Sequence, residues 1–336
     1  MAFYSFLILY HEDKSNINLI TQIISLIIAI IYINNFIGFK GYVKSYIYII
    51  NAMGIGGTII FFLHIIFGIN PLFQVDYSES GTSYFLYLTS TNVYYNLDNG
   101  LRLIRYSGFF DEPGAFALFS MFAIILNKIY FNNNKVEISL LITTLFTLSI
   151  AFYFFVLFYV LFFYISKRYM VYALIGICIL TFISNSLLEN KSNDPSINLL
   201  TEFTIGRIEK DENSGFSGNN RSEMAAADKN IFIDYPLLGS GSIHAKVNGS
   251  NIFSILAKYG LIGFFIFYGF LIYILLLIAT QKRKDKILHF KILFLIILNF
   301  THRPELSSVL TILVFISYIY YLKNNIECSS FHNQNT

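Results

Sequence analysis

Residues 251–280 read NIFSILAKYGLIGFFIFYGFLIYILLLIAT, an apolar stretch whose single charged side chain is Lys258. A helix needs about 20 predominantly apolar residues to cross the roughly 30 Å hydrocarbon core of a bilayer, and this stretch is longer than that. Similar apolar runs recur along the chain, at 17–39, 44–69, 114–131, 136–165, 169–188 and 287–322. The pattern predicts an integral membrane protein.

The composition agrees with a membrane protein. The 336 residues are 55% hydrophobic and 13% charged, whereas an ordinary soluble domain has roughly 25% charged residues. The net charge of +3 follows from basic residues beside the apolar runs, so we expect no nucleic-acid partner. Cys178 and Cys328 lie in unrelated places and predict neither a disulfide framework nor a metal site.

The distribution of charges predicts the topology. Residues 147–149 break the run 136–165 into two short crossings, and residues 301–305 break the last run. Counting 1–10 as a crossing gives about ten transmembrane helices in one all-α polytopic domain, 1–336, with the N-terminus inside. Basic residues are then in clear excess on the inside and acidic ones outside, as the positive-inside rule requires.

This layout places the first loop, 69–113, and a large extracytoplasmic loop, 189–250, on the outer side, together with the turn at 301–305. Within the large loop, residues 221–233 are compatible with a helix, whereas Asn, Gly, Ser and Pro cluster around them. We expect that helix to lie along the membrane surface or to cap a cavity.

The first candidate site is where loop 69–113 meets the next apolar run. Pro113 suits the first turn of a helix, which would place Asp111 and Glu112 at the positive end of the helix dipole. One interpretation is a helix cap with Arg105 at the membrane interface. The other is that Arg105 holds a phosphate and one of the carboxylates handles a proton.

Arginines recur in all three outer segments, beside carboxylates. The planar guanidinium binds two phosphate oxygens at once and stays charged, so the natural ligand is a lipid-linked phosphate or diphosphate. Ionisable groups near membrane depth are usually functional, although a short outer turn would also keep His302 and Arg303 in water. The candidate residues are Arg102, Arg105, Arg207, Arg221, His302 and Arg303.

Motifs of other chemistries are missing from the sequence. It contains no His/Cys metal cluster, no nucleophile elbow, no phosphate-binding glycine loop and no dinucleotide fingerprint. We therefore expect neither a metal nor a cofactor.

Several of these residues together resemble the Wzy-type O-antigen and capsular polysaccharide polymerases, within the superfamily shared with O-antigen ligases. The resemblance covers roughly 105–269 and is carried by Arg105-Tyr106-Ser107-Gly108, Glu112-Pro113, Arg221, Pro236-Leu237-Leu238-Gly239-Ser240-Gly241 and Tyr259-Gly260-Leu261-Ile262-Gly263.

The resemblance implies an enzyme at the outer face of the bacterial inner membrane. It would join undecaprenyl-diphosphate-linked oligosaccharide repeats, beside a flippase and a chain-length regulator. Arg105 and Arg221 would neutralise diphosphate charge, and Glu112, or Asp111, would accept the proton of the acceptor hydroxyl.

Two other functions remain open. The ligase branch shows a His-Asn pair before the last outer span, but here that place reads Asn248-Gly249-Ser250-Asn251, with His244 the nearest histidine and His302 a spatial alternative. This departure favours a polymerase over a ligase. A flippase is expected to carry ionisable residues inside its spans, whereas the charges here concentrate in the outer segments.

Overall fold

A computed structural model describes residues 16–77, 82–96, 102–110, 112–165, 219–241, 251–302 and 309–334. Most of these residues are helical. Four helical segments are long and apolar enough to cross a membrane: Ile20–Ile37, Phe39–Phe67, Pro113–Tyr130 and Phe253–Thr280. The prediction of a largely helical membrane protein is confirmed to this extent, and the number of ten spans stays a prediction.

The helices and strands follow one another in a simple order. In the described ranges they are α1 (Asn16–Tyr32) with a π-helical turn (Ile33–Ile37), α2 (Phe39–Phe67), β1 (Phe73–Tyr77), β2 (Thr82–Leu86), β3 (Thr91–Asn96), β4 (Arg102–Gly108), α3 (Pro113–Tyr130), α4 (Asn134–Leu145), α5 (Ile150–Phe163), α6 (Asn219–Asp234), α7 (Ile252–Thr280), α8 (Arg283–His302) and α9 (Val309–Gln334).

The chain divides into two compact units. Unit 1 comprises Met1–Tyr153, Phe267–Phe300 and Glu305–Thr336, and unit 2 comprises Phe154–Ile266 and Thr301–Pro304. Unit 1 thus holds the sheet and α1 to α4, and unit 2 holds α6 and the first half of α7.

A four-stranded antiparallel sheet occupies loop 69–113, which the all-α expectation did not include. Its strands pair in the order β1-β2-β3-β4. They are rich in Tyr, Phe, Val and Thr, which favour the pleated backbone. The strands are five to seven residues long, so their alternation of residue types is a weak signal beside the long apolar runs.

Helix α3 forms the centre of unit 1. It is apolar on all sides and is buried along nearly its whole length, as expected of a helix without a polar face. The Tyr46 hydroxyl donates to the Phe119 carbonyl at 2.7 Å, and Phe122 meets a buried aromatic cluster with Phe300 and Phe315. This core holds the start of α3, and with it Glu112, in place.

The run 136–165 breaks where the sequence predicted. Helix α4 ends at Leu145, α5 begins at Ile150, and Leu148 between them has φ 49°, a left-handed conformation that is costly for a branched residue. The helices have 12 and 14 residues, or about 18 and 21 Å at 1.5 Å per residue. Whether each crosses the membrane stays a prediction.

Candidate functional site

Arg105 lies inside unit 1, in strand β4, where it pairs with Val93. Its side chain is buried, with 6% exposure, and its Nε donates to the Thr147 carbonyl at 2.8 Å. Thr147 belongs to the break between α4 and α5, where the last carbonyls of a helix need donors from outside it. Arg105 therefore supplies a donor to a broken helix and does not extend into solvent.

Tyr106, the next residue, binds the same helix end. Its hydroxyl donates to the carbonyl of Thr143, in the last turn of α4. Its ring packs against Gly57 of α2, where an added Cβ would lie 2.6 Å from the ring, and against Phe116 with centroids 5.3 Å apart. The dipeptide Arg105-Tyr106 thus joins β4 to α2, α3 and the C-terminal end of α4.

Glu112 stands at the N-cap of α3, and Pro113 occupies the first helical position as predicted. The Glu112 backbone is extended, and its carbonyl accepts from the amides of Ala115 at 3.0 Å and Phe116 at 3.3 Å. The side chain is exposed and makes no capping hydrogen bond. Glu112 therefore presents a carboxylate at the positive end of a buried helix. Asp111 lies outside the described residues.

In unit 2, the two glycine-containing motifs of the resemblance form one backbone crossing. The amides of Ser240 and Gly241 donate to the carbonyls of Ala257 and Lys258, at 2.8 and 3.2 Å. In return, the amides of Leu261 and Ile262 donate to the carbonyls of Pro236 and Leu237, again at 2.8 and 3.2 Å. The segments 236–241 and 257–262 are therefore a single structural element.

Glycine is required at the centre of this crossing. Gly239 has φ 73° and Gly260 has φ 63°, both in the left-handed range. A Cβ on Gly239 would collide with the backbone between Lys258 and Tyr259, and a Cβ on Gly260 would collide with the Leu237 carbonyl. Gly260 also interrupts α7 with a non-helical backbone. The close approach of two backbones explains the glycine spacing that the sequence shows.

Helix α6 carries Arg221 in its first turn, and its bounds confirm the helix predicted over 221–233. Among the described side chains of this helix, at 225–234, the buried one is Asp228, at 4% exposure, a residue that no sequence motif pointed to. The amide of Asn251 donates to the Asp228 carboxylate at 2.7 Å, while the Asn251 carbonyl oxygen caps α7 by accepting from the Ser254 amide at 3.0 Å.

Asp228 and Arg221 are seven residues apart, a spacing that places the two positions on the same face of a helix. That spacing is the signal in the sequence that would have pointed to Asp228. Burial raises the pKa of the Asp228 carboxyl above its ordinary value of 3.8, and the Asn251 hydrogen bond lowers it in part. In unit 2, the positions of Arg221 and of the buried Asp228 carboxyl thus lie along one side of α6.

We expect Asp228→Asn to stabilise the protein at neutral pH. The folded state binds the carboxyl proton more tightly than the unfolded state, so stability falls as pH rises from the ordinary pKa through the raised one. Asparagine keeps an acceptor for Asn251 and cannot ionise. Thermal unfolding in detergent at several pH values should show a higher midpoint for the variant at pH 7 and no difference near pH 3.

The matched control is Asp234→Asn, at an exposed position on the same helix, which should leave the midpoint unchanged at every pH. An Asp228→Asn variant that is less stable than the wild type at pH 7 would contradict the prediction.

The remaining predicted residues are placed as follows. Arg102 is the first residue of β4 in unit 1, and His302 is the last residue of α8. Arg207, His244 and Arg303 lie outside the described residues. The structure therefore brings Arg105 and Glu112 to neighbouring elements of unit 1, and Arg221 and Asp228 to one helix of unit 2.

In the part of the chain that the structure describes, no three His, Cys, Asp or Glu side chains are grouped as metal ligands. Comparison with protein-family models and with curated proteins finds no match to this chain.

Proposed function

We propose that this chain is a membrane glycosyltransferase that polymerises undecaprenyl-diphosphate-linked oligosaccharide repeats into O-antigen or capsular polysaccharide, at the outer face of the bacterial inner membrane. The observation that carries the proposal is the crossing of 236–241 with 257–262. Both glycine-containing motifs of the resemblance take part in it. Two unrelated surface turns would not each need a glycine to make room for the backbone of the other. The four apolar helices are consistent with a lipid-linked substrate.

The proposed reaction exchanges a glycosyl–phosphate bond to the lipid carrier for a glycosidic bond between sugars. A sugar hydroxyl of the incoming repeat attacks the anomeric carbon of the growing chain, a new C–O bond forms, and the bond to the lipid diphosphate breaks. The leaving diphosphate takes the electron pair, and its charge is neutralised by Arg221. The hydroxyl proton passes to Glu112, whose carboxylate is exposed.

Arg105 has a different task in this proposal from the one that the resemblance implies. Its Nε is already bound to the Thr147 carbonyl, and its side chain is buried. We assign it as a positioning residue that holds β4, and through β4 the start of α3, for Glu112. Arg102, Arg207, His244, His302 and Arg303 remain candidates for substrate binding, and a flippase and a chain-length regulator remain the proposed partners.

We expect Arg221→Ala to abolish the surface polysaccharide ladder at matched protein levels. Cells that lack the gene would be complemented with the wild type, Arg221→Ala, Glu112→Ala or Lys229→Ala, and their polysaccharide separated on a gel. Lys229 is the control, because it is an exposed cation on the same helix as Arg221. The deletion should leave a single repeat on the acceptor, and only the wild type and Lys229→Ala should restore long chains.

Other outcomes identify the competing functions. Long chains that stay on the lipid carrier in the deletion strain would indicate a ligase. Loss of even the single repeat would indicate a step before polymerisation, such as flipping. A normal ladder in both the Arg221 and Glu112 variants would overturn the proposed mechanism.

A further inference from the structure

The turn between β2 and β3 packs beside the middle of a candidate transmembrane helix. The Thr89 hydroxyl donates to the Gly56 carbonyl of α2 at 3.3 Å, and a Cβ on Gly56 would lie 2.9 Å from the Thr89 Cβ. One residue further along α2, a Cβ on Gly57 would lie 3.0 Å from the Ser90 hydroxyl. Because the glycines of α2 have no side chain, the hairpin contacts the helix backbone directly.

This contact lies deep along α2. The helix has 29 residues, so Gly56 is about 26 Å from its first residue and about 17 Å from its last, at 1.5 Å per residue. Both distances are below the roughly 30 Å thickness of the hydrocarbon core. Whichever part of α2 fills the hydrocarbon core, Gly56 is therefore inside the core. A tilted helix has more of its length in the core, so tilt leads to the same conclusion.

The end of β4, where Gly108 pairs with Thr91 of β3, reaches the same level. A Cβ on Gly54 of α2 would lie 2.6 Å from the Thr143 hydroxyl, and Gly108 lies against Phe116 and Met53. Tyr106 packs on Gly57, as described above. The end of β4, the hairpin turn and the last turn of α4 therefore meet at one depth of α2.

Several polar groups at this level have partners within the protein, as a non-helical backbone in hydrocarbon requires. The Tyr87 amide donates to the Ser90 carbonyl at 2.9 Å and closes the turn. The Tyr87 hydroxyl binds the His64 imidazole near the end of α2, and the Ser107 hydroxyl donates to the Thr91 carbonyl at 3.2 Å. Ser90 and Ser107 are fully buried.

The tip of the turn is different. Leu88, between the buried Tyr87 and the helix-bound Thr89, is 81% exposed. At the same depth, α2 exposes Ile55 and Ile59. Leu88 at the tip of the hairpin therefore extends the apolar outer surface of that helix. Lipid acyl chains are the surroundings that match this surface, because water at that depth would leave it without an apolar partner.

We propose that the β2–β3 hairpin is a re-entrant element, whose tip at Leu88 contacts the acyl chains of the bilayer while the body of the sheet stands in the outer loop. Arg105 of β4 pairs with Val93 of this hairpin, so the proposal concerns the surroundings of that strand as well. The proposal concerns lipid contact and does not depend on the function proposed above.

Site-directed spin labelling tests the proposal on the full chain. With Cys178 and Cys328 replaced by serine, single variants Leu88→Cys, Ile59→Cys and Ser83→Cys would be labelled with a nitroxide and reconstituted into liposomes. Ile59 is the lipid-facing control on α2, and Ser83 lies five residues from Leu88, in the part of β2 remote from the turn. Power saturation would then be measured with oxygen, which concentrates in hydrocarbon, and with a neutral nickel chelate, which stays in water.

The label at Leu88 should follow Ile59, with high oxygen and low nickel accessibility, whereas Ser83 should show the reverse preference. Nickel accessibility at Leu88 equal to that at Ser83 would place the tip in water and overturn the proposal. Protection from both reagents would also overturn it, because the tip would then be covered by protein. Circular dichroism of each labelled variant establishes that the chain is folded.

Discussion

Gly260→Ala should destabilise the protein by at least about 3 kcal/mol, a large part of the about 5–15 kcal/mol that a typical protein has. Gly260 combines φ 63° with ψ −167°, a region that is essentially limited to glycine and costs other residues about 1–3 kcal/mol. The added methyl group would also collide with the Leu237 carbonyl. Relief of that collision must pull apart the two backbones and their four hydrogen bonds.

The loss should be visible as a lower thermal midpoint of the detergent-solubilised protein and a smaller monodisperse peak on size exclusion. The control is Gly269→Ala on the same helix, where an added Cβ meets no atom within 4 Å. That change should be neutral or stabilising by up to about 1 kcal/mol, because alanine is the better helix former. Equal stability of the two variants would contradict the crossing.

Arg105→Ala should destabilise the protein by about 2–4 kcal/mol, because it leaves the buried Thr147 carbonyl without its donor and opens a void beside the helix break. Arg105→Lys keeps the charge but cannot reproduce the guanidinium geometry, so an intermediate loss is expected. Unfolding in detergent measures the effect, with Lys135→Ala, at an exposed position of α4, as the control that should not change it.

The same variants separate positioning from catalysis. If Arg105 positions β4, polysaccharide synthesis in cells should fall together with stability, and the lysine variant should restore part of both. An alanine variant with the wild-type unfolding midpoint and no polymer would contradict the positioning role and return Arg105 to direct contact with substrate.

Much of the helical framework could be predicted from the sequence, because long apolar runs are local signals. The break at 147–149 was predictable for the same reason, since hydroxyl side chains interrupt an otherwise apolar run. The start of α3 followed from Pro113, whose ring suits the first turn. In each case the neighbouring residues alone contain the information.

The sheet and the surroundings of the candidate site depend on contacts between distant residues. Residues 105–108 of strand β4 are buried because Gly57 leaves room for Tyr106, and Thr143 supplies an acceptor 37 residues away. Asp228 gains its partner from Asn251, 23 residues along the chain. The arginine of the motif was recognisable, but its binding to a helix break was not, because no local pattern specifies that partner.

The hydrogen bonds at the helix break also constrain how the protein is assembled. Residues 102–108 leave the ribosome before residues 143–147, and an arginine has no low-energy place in the hydrocarbon until its carbonyl acceptor arrives. Strand β4 can therefore complete its contacts with the helix break only after α4 has formed. Burial of Arg105 and Tyr106 against the end of α4 is then a late step of folding.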